Sequence, residues 1–376
     1  MRAPSSVEES KEFPWPFNCV GCGRSYPATG FPYHCPSCGG IYDFGRGLDY
    51  SPGEPPRPGF HGLDRFRTTI PLPPHAEMIG LGEGETPLID LRIEGRTIYF
   101  KCEHLNPTGS FKDRGSVALV SALAALGVEE AVEDSSGNAG ASFSAYAARA
   151  GIRARVFVPS YASGPKQAQI EAYGAEIVRV PGPRSTAAEA VRRAADAGAV
   201  YASHVYLPHG IAGMATIAFE IAERLGRSPG AVILPVGHGS LLLGLHRGFK
   251  AMVEAGEIDA LPQLIGVQAR ACAPLWTAYT QGSVQPELVT EGETIAEGIR
   301  IVQPPRAGAV LDALGESGGR MVAVDEESIR EGRNALARRG LYVEATSAVV
   351  WQALLMTLKD LVDPVVVILT GSGYKN

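Results

Sequence analysis

A chain of 376 residues is long enough for more than one domain, and 45% hydrophobic with 20% charged residues is the composition of a folded globular protein. The formal net charge of -6 argues against the concentrated basic surface that nucleic-acid binding requires, and no apolar run approaches the length that crosses a bilayer. The opening "MRAPSSVEESKEFPWPF" lacks the apolar core of a secretory signal, so a cytoplasmic protein with neither a membrane nor a nucleic-acid partner is expected.

The first element is a cysteine cluster. Cys19 and Cys22, then Cys35 and Cys38, form two C-x-x-C turns separated by twelve residues and followed by Gly23 and Gly39. Two such knuckles supply four thiolates and close a tetrahedral shell to water, which predicts one structural zinc. The competing reading is a pair of disulfides in a secreted protein. Cys102 and Cys272 read as small buried hydrophobes.

Proline and glycine crowd "YSPGEPPRPGFHG", which reads as a linker or extended arm. From about residue 96 strand-like and helix-like segments alternate: "TIYFKC", "GSVALVSALAALG", "SFSAYAARAG", "ARVFVP", "PKQAQIEAYGA", "EIVRVPG", "STAAEAVRRAADAG". A second series runs through "GAVILPVG", "LLLGLHRGFKAMVEAG" and "QLIGVQA" to "PVVVILTGSG". Such alternation predicts βαβ units, parallel sheets and two doubly wound lobes of an α/β fold.

Three glycine-rich strand-to-helix junctions carry the candidate chemistry. "NPTGSFKDRG" sets Lys112 behind turn and cap residues; "DSSGNAG", residues 134–140, and "PVGHGSLLLG", residues 235–244, each open a helix whose free N–H groups suit an anion. Gly237-x-Gly239 begins a dinucleotide fingerprint, but Leu242 replaces its third glycine, and no acidic residue closes the next strand. Lys112 precedes Asp113, whereas an ATP loop needs serine or threonine there. A phosphate cradle, a carboxylate-sized anion site and one lysine between them suit pyridoxal phosphate bound as a Schiff base.

Together "NPTGSFKDRG", "SSGNAG", "PVGHGSLLLG", "YVEATSA" and "LTGSGYKN" resemble the threonine synthase family of fold-type II pyridoxal-phosphate enzymes over roughly residues 80–376, and the ribbon resembles that of some members. The resemblance implies a ribbon and arm over 1–48, a large cofactor-binding lobe from 49–112 and 213–376, and a small α/β lobe over 113–212. It assigns Lys112 the cofactor link and the proton shuttle, with Phe111 near the ring and Asn138 at the phenolic oxygen. Ser135, Ser136 and Gly137 would take the substrate carboxylate, and Gly237, His238, Gly239, Ser240 and Leu241 the cofactor phosphate. Thr370 would face the pyridine nitrogen, and a hydroxyl there leans the pathway toward β/γ elimination or replacement.

One departure bears on substrate. Where many threonine synthases carry an asparagine, a serine and an arginine before a helix, "ASHVYLPHGIAG" places His204, Val205 and Gly210, with the helix starting near Gly213. A substrate phosphate would then fall to Lys101, Lys166, His204 or His209, or the leaving group is not that phosphate. Threonine synthase chemistry on a small amino-acid substrate leads. A β-replacing or β-eliminating relative, like cysteate synthase or a serine/threonine dehydratase, stands second, and a non-catalytic ribbon protein that docks a partner stands third. Homodimers are common in such enzymes and are expected here.

Overall fold

The structure is a computed structural model that describes residues 13–52, 62–286 and 289–375; most of the expected linker, residues 53–61, and the first twelve residues lie outside them. In chain order the strands are β1 (Phe17–Cys19), β2 (Tyr42–Phe44), β3 (Leu88–Ile93), β4 (Arg96–Lys101), β5 (Glu130–Glu133), β6 (Arg153–Pro159), β7 (Glu176–Val180), β8 (Val200–Tyr201), β9 (Ala231–Pro235), β10 (Gln263–Ala269), β11 (Arg320–Val324) and β12 (Val365–Ile368). The helices are α1 (Lys112–Ala125), α2 (Asn138–Ala150), α3 (Pro165–Ala172), α4 (Arg184–Asp196), α5 (His209–Leu225), α6 (Ser240–Glu254), α7 (Pro274–Gln281), α8 (Ala307–Glu316), α9 (Glu326–Ala337) and α10 (Ala345–Thr357).

The strands form two main sheets. One has six strands in the order β11-β10-β9-β12-β4-β3, and the other four in the order β7-β6-β5-β8. Central strands such as "VVVI" of β12 are buried throughout, as a sheet covered by helices on both faces requires. The four-stranded sheet is wholly parallel, but the larger sheet is not: β3 pairs antiparallel with β4. The cause is local. Glu94 (φ 47°) and Gly95 (φ 77°) make a two-residue turn with positive φ at both positions, the geometry that returns the chain as a hairpin.

The hydrophobic run in α1 has no strong polar face, because the helix is sandwiched between α2 and α5. Its contact with α5 depends on glycine: a Cβ on Gly213 would run into the carbonyl oxygen of Arg114. Helix α5 also starts four residues before the expected Gly213, at His209, because the locked φ of Pro208 (-77°) opens the helical turn there.

Strand order places the functional loops. β9, β12 and β4 are adjacent and parallel, so their carboxyl ends bring residues 236–241, Leu369–Thr370 and the segment leading to Lys112 to one edge. The carboxyl end of β5 brings residues 134–138 from the smaller sheet. The chain segments are stitched directly: Phe111 N–H donates to Thr370 O at 3.0 Å and Ser372 N–H to Gly109 O at 2.9 Å.

Candidate active site

The loops enclose a cleft of about 570 Å³ that Lys112, Asn138, Gly239 and Thr370 all line. Lys112 occupies the first turn of α1, its Nζ 4.9 Å from the centre of the Phe111 ring. Burial pushes its ammonium down to about 8; Glu133 opposes this and Arg184 adds to it. An amine near neutrality is what a nucleophilic, proton-shuttling lysine needs.

The turn beneath it is rigid. Asp113, buried, accepts from Thr108 N–H (2.7 Å), Thr108 hydroxyl (2.5 Å) and Ser142 hydroxyl (2.6 Å), and Lys375 Nζ donates to Thr108 O at 2.7 Å. Burial raises the Asp113 carboxyl to about 6 despite those donors.

The loop of Ser135, Ser136 and Gly137 lines one wall and feeds the amino end of α2. It is tight: Gly137 N–H donates to Ser135 Oγ at 3.2 Å, and a Cβ on Gly140 would strike the Ser135 carbonyl oxygen. Asn138 Nδ2 donates to Glu344 Oε1 at 2.8 Å, and Lys166 Nζ lies 3.0 Å from Glu344 Oε2. Facing it, Gly237, His238, Gly239, Ser240 and Leu241 wrap the amino end of α6. Gly239 has φ 91°, and a Cβ there would collide with Val310, so the loop closes to a backbone cradle that only glycine permits.

Thr370 Oγ1 and Asn138 Oδ1 are buried in the walls of this cleft with no hydrogen-bond partner among the described residues. Thr370 is anchored through its backbone, whose N–H donates to Ser347 Oγ at 2.9 Å, so its hydroxyl is left for a group in the cleft. Buried polar atoms ordinarily have a partner, so these two call for one. A ring with a hydrogen-bonding nitrogen at Thr370, a phosphate on the 237–241 cradle and a carbonyl carbon at Lys112 would fit the set of hydroxyl, backbone N–H groups and amine. Asn138, by contrast, turns its donor to Glu344 and leaves an acceptor oxygen, not the donor expected at a phenolic oxygen.

The comparisons with known proteins agree with that set. Residues 79–371 match the model of the family described as "Pyridoxal-phosphate dependent enzyme". The chain belongs to that family. Among its relatives, threonine synthase of Methanocaldococcus jannaschii is 35% identical over 95% of this chain and 92% of its own, and that of Methanosarcina acetivorans 33% over 92% and 86%. The threonine synthase of Mycobacterium bovis is 36% identical over 85% of this chain and 89% of its own. Among solved structures, a threonine deaminase from T.th. superposes with a TM-score of 0.67 at 29% identity, covering 77% of this chain and 92% of that one. Maize serine racemase, 21% identical, shares the fold with a TM-score of 0.68 over 77% and 88%.

Within this pyridoxal-phosphate enzyme, two residues expected near substrate lie elsewhere. Lys101 is the last residue of β4, and its side chain turns to the covered face of the sheet, where Nζ donates to Thr86 O at 2.7 Å and to Glu220 Oε2 at 2.6 Å. It is 1% exposed, a member of a buried ion network with Arg114 and Glu103, and no part of the cleft. His209 is buried under the ribbon, its ring 4.6 Å from Trp15 and 4.8 Å from Phe17. Lys166 and His204 do line the cleft.

Sequence reasoning passed over Glu133, Arg184 and Glu344. Arg184, at the start of α4, and Glu344, before α10, reach the cleft, while Glu133 ends β5 beside Lys112. The readable signal was an acidic residue directly before each glycine or helix-opening motif, in "VEDSSGNAG" and "YVEATSA".

The ribbon thiols fit a metal. Cys19 and Cys38 sulfurs are 3.4 Å apart, Cys22 and Cys35 3.7 Å, and all four ligand atoms lie within 4.8 Å of one another. Sulfurs around a zinc at about 2.3 Å stand about 3.8 Å apart, whereas a disulfide needs about 2 Å. All six cysteines are free thiols.

Proposed function

We propose that this chain is a threonine synthase-like lyase that performs β/γ elimination and replacement on an activated amino acid, with O-phosphohomoserine and water giving threonine and phosphate as the leading case. The observation that carries the reading is the partnerless hydroxyl of Thr370 at the end of β12, on the strand next to the one that leads to Lys112. A neutral hydroxyl at a pyridine nitrogen leaves the ring unprotonated and favours expulsion of a leaving group over transamination. Relatives named threonine synthase, matched along almost their whole length, support the same reaction.

Pyridoxal phosphate, when bound, supplies the electron withdrawal that makes protons on the substrate removable. The protein supplies the rest. Backbone N–H groups of residues 237–241 hold the phosphate at the start of α6, and residues 135–137 hold the substrate carboxylate at the start of α2. Lys112 Nζ takes a proton at the substrate α-carbon and returns it; burial, which lowers its basicity to about 8, readies the neutral amine.

A deamination reading competes through two features, the likeness to a threonine deaminase and the His204, Val205 and Gly210 set where a phosphate grip is expected. The same proposal includes a homodimer, a cytoplasmic setting in keeping with the free thiols, and one structural zinc on Cys19, Cys22, Cys35 and Cys38. Turnover of O-phosphohomoserine, O-phosphoserine, serine and threonine, with products identified, tests it. Threonine and phosphate from the first substrate are expected; 2-oxo acid from serine or threonine alone would establish the deaminase reading instead.

A further inference from the structure

Beside Lys112 lies a pair that chemistry by a single lysine does not use. Glu133, 1% exposed, closes β5, and its Oε1 is 2.7 Å from His204 Nδ1. Its other oxygen accepts from Ser135 N–H, so each oxygen of the carboxylate has a partner. Lys112, Glu133 and His204 border one small void behind the main cleft, and His204 also lines the cleft itself, its side chain 17% exposed and its ring 6.1 Å from that of His238.

The hydrogen bonding ties the tautomer to the state of Glu133, whose carboxyl burial raises to about 7. Ionised, the carboxylate that accepts the peptide N–H of Ser135 also accepts from the imidazole, the arrangement with the ring proton on Nδ1 and the Nε2 lone pair free. Of the charges that act on the ring, Lys112 and Arg184 disfavour its protonation and Asp134, which accepts from Tyr201 hydroxyl at 2.7 Å, favours it. Burial, aided by Lys112 and Arg184, keeps the resting imidazole neutral. A neutral imidazole oriented by a buried carboxylate is a general base.

We propose that His204 is a second catalytic residue, the base that takes the proton of the water adding to the substrate, with Glu133 as its positioning residue. The step rests on the replacement reading above. As the water oxygen bonds to the unsaturated carbon, the double-bond pair shifts toward the α-carbon and the O–H bond breaks. The proton moves to Nε2, and the resulting imidazolium pairs with the Glu133 carboxylate until the proton passes to solvent.

The test has two arms. In the first, ¹⁵N-histidine-labelled protein is compared with His204→Asn to identify the His204 ring signals, and the expected form at neutral pH is Nδ1–H with Nε2 bare; an Nε2–H tautomer overturns the proposal. In the second, His204→Asn and Glu133→Gln holoenzymes that retain the visible cofactor band are given O-phosphohomoserine. A substrate intermediate that is not hydrated leaves as an enamine and hydrolyses to 2-oxo acid and ammonia, so the ratio of threonine to 2-oxo acid should fall at least tenfold. An unchanged ratio overturns the proposal, whatever the total rate. If His204→Asn does not fold, Glu133→Gln and a wild-type spectrum assigned through it keep both arms readable. Should wild type form no threonine, the replacement reading falls and this step with it; a failed tautomer or ratio with threonine still formed removes only the role of His204.

Discussion

At the scale of single residues, the proposed reaction works by withholding charge. Lys112 is placed where burial costs its ammonium more than Glu133 returns, and in that proposal the buried hydroxyl of Thr370 takes the place of a carboxylate that would hold a ring nitrogen protonated. Thr370→Asp should therefore slow the native reaction by about two orders of magnitude, comparable to losing one preorganised electrostatic group, while Thr370→Ser is tolerated. Steady-state kinetics of both variants with the best substrate measure this, and an aspartate variant as active as wild type would remove Thr370 from the reaction. The lysine, the three loops and Thr370 were legible in sequence because each sits in a short, chemically distinctive turn. Lys101 was misassigned because a strand residue's direction depends on which face of the sheet its neighbours cover, and its neighbours come from α1 and α5.

At the scale of elements, α1 is held by a buried ion network. Arg114 donates from Nε and Nη2 to the two oxygens of Glu103, both at 2.7 Å, and to Glu220 on α5, which also accepts from Lys101 on β4. Burial disfavours the Glu220 carboxylate, but Arg114 and Lys101 outweigh it and hold its pKa at about 2, below an ordinary 4.5. A carboxylate with a depressed folded pKa contributes stability that is complete above about 4.5 and is lost as pH falls toward 2. Glu220→Gln should cost about 3–5 kcal/mol at pH 7, because it leaves Lys101 and one side of Arg114 buried without their carboxylate. It should also flatten the loss of stability between pH 4.5 and 2. Urea melts of both proteins across that range test the expectation; parallel acid profiles would show that the Glu220 carboxyl titrates alike in the folded and unfolded chains. The same helix pair depends on Gly213, whose missing Cβ allows α5 to approach Arg114, so the segment that carries Lys112 is set by a close backbone contact as well as by charge.

At the scale of the molecule, the ribbon is joined to the catalytic body more closely than a separate module would be. Asp43 lies 2.7 Å from Arg247 on α6 and 2.8 Å from Arg306 beside α8, and Arg306 donates to the carbonyls of Tyr42 and Tyr206. Trp15, Phe17, Tyr26 and Phe31 surround His209, next to Gly210 and Ile211, which border the void behind Lys112. Metal analysis should find about one zinc per chain. Chelation should lower the melting temperature of the whole protein and weaken cofactor retention, because the aromatic cage that covers the start of α5 is part of the same core as α1. Differential scanning calorimetry with and without a chelator, read alongside the visible band, measures both; an unchanged main transition would make the ribbon an independent appendage.

By itself, the sequence determined the parts whose chemistry is written in neighbours: the C-x-x-C knuckles, the lysine turn, the glycine cradles and the alternation that makes parallel sheets. Even the antiparallel edge was present in "EGR", as a two-residue turn. What only the tertiary structure decided are meetings across the chain. Glu133 and His204 are 71 residues apart, Asn138 and Glu344 are 206 apart, and Lys112 meets Thr370 because β4 and β12 are neighbours in the sheet. Strand order and helix packing, driven by burial of apolar faces that many residues share, bring these groups together, and no local pattern records which distant partner a polar side chain will find.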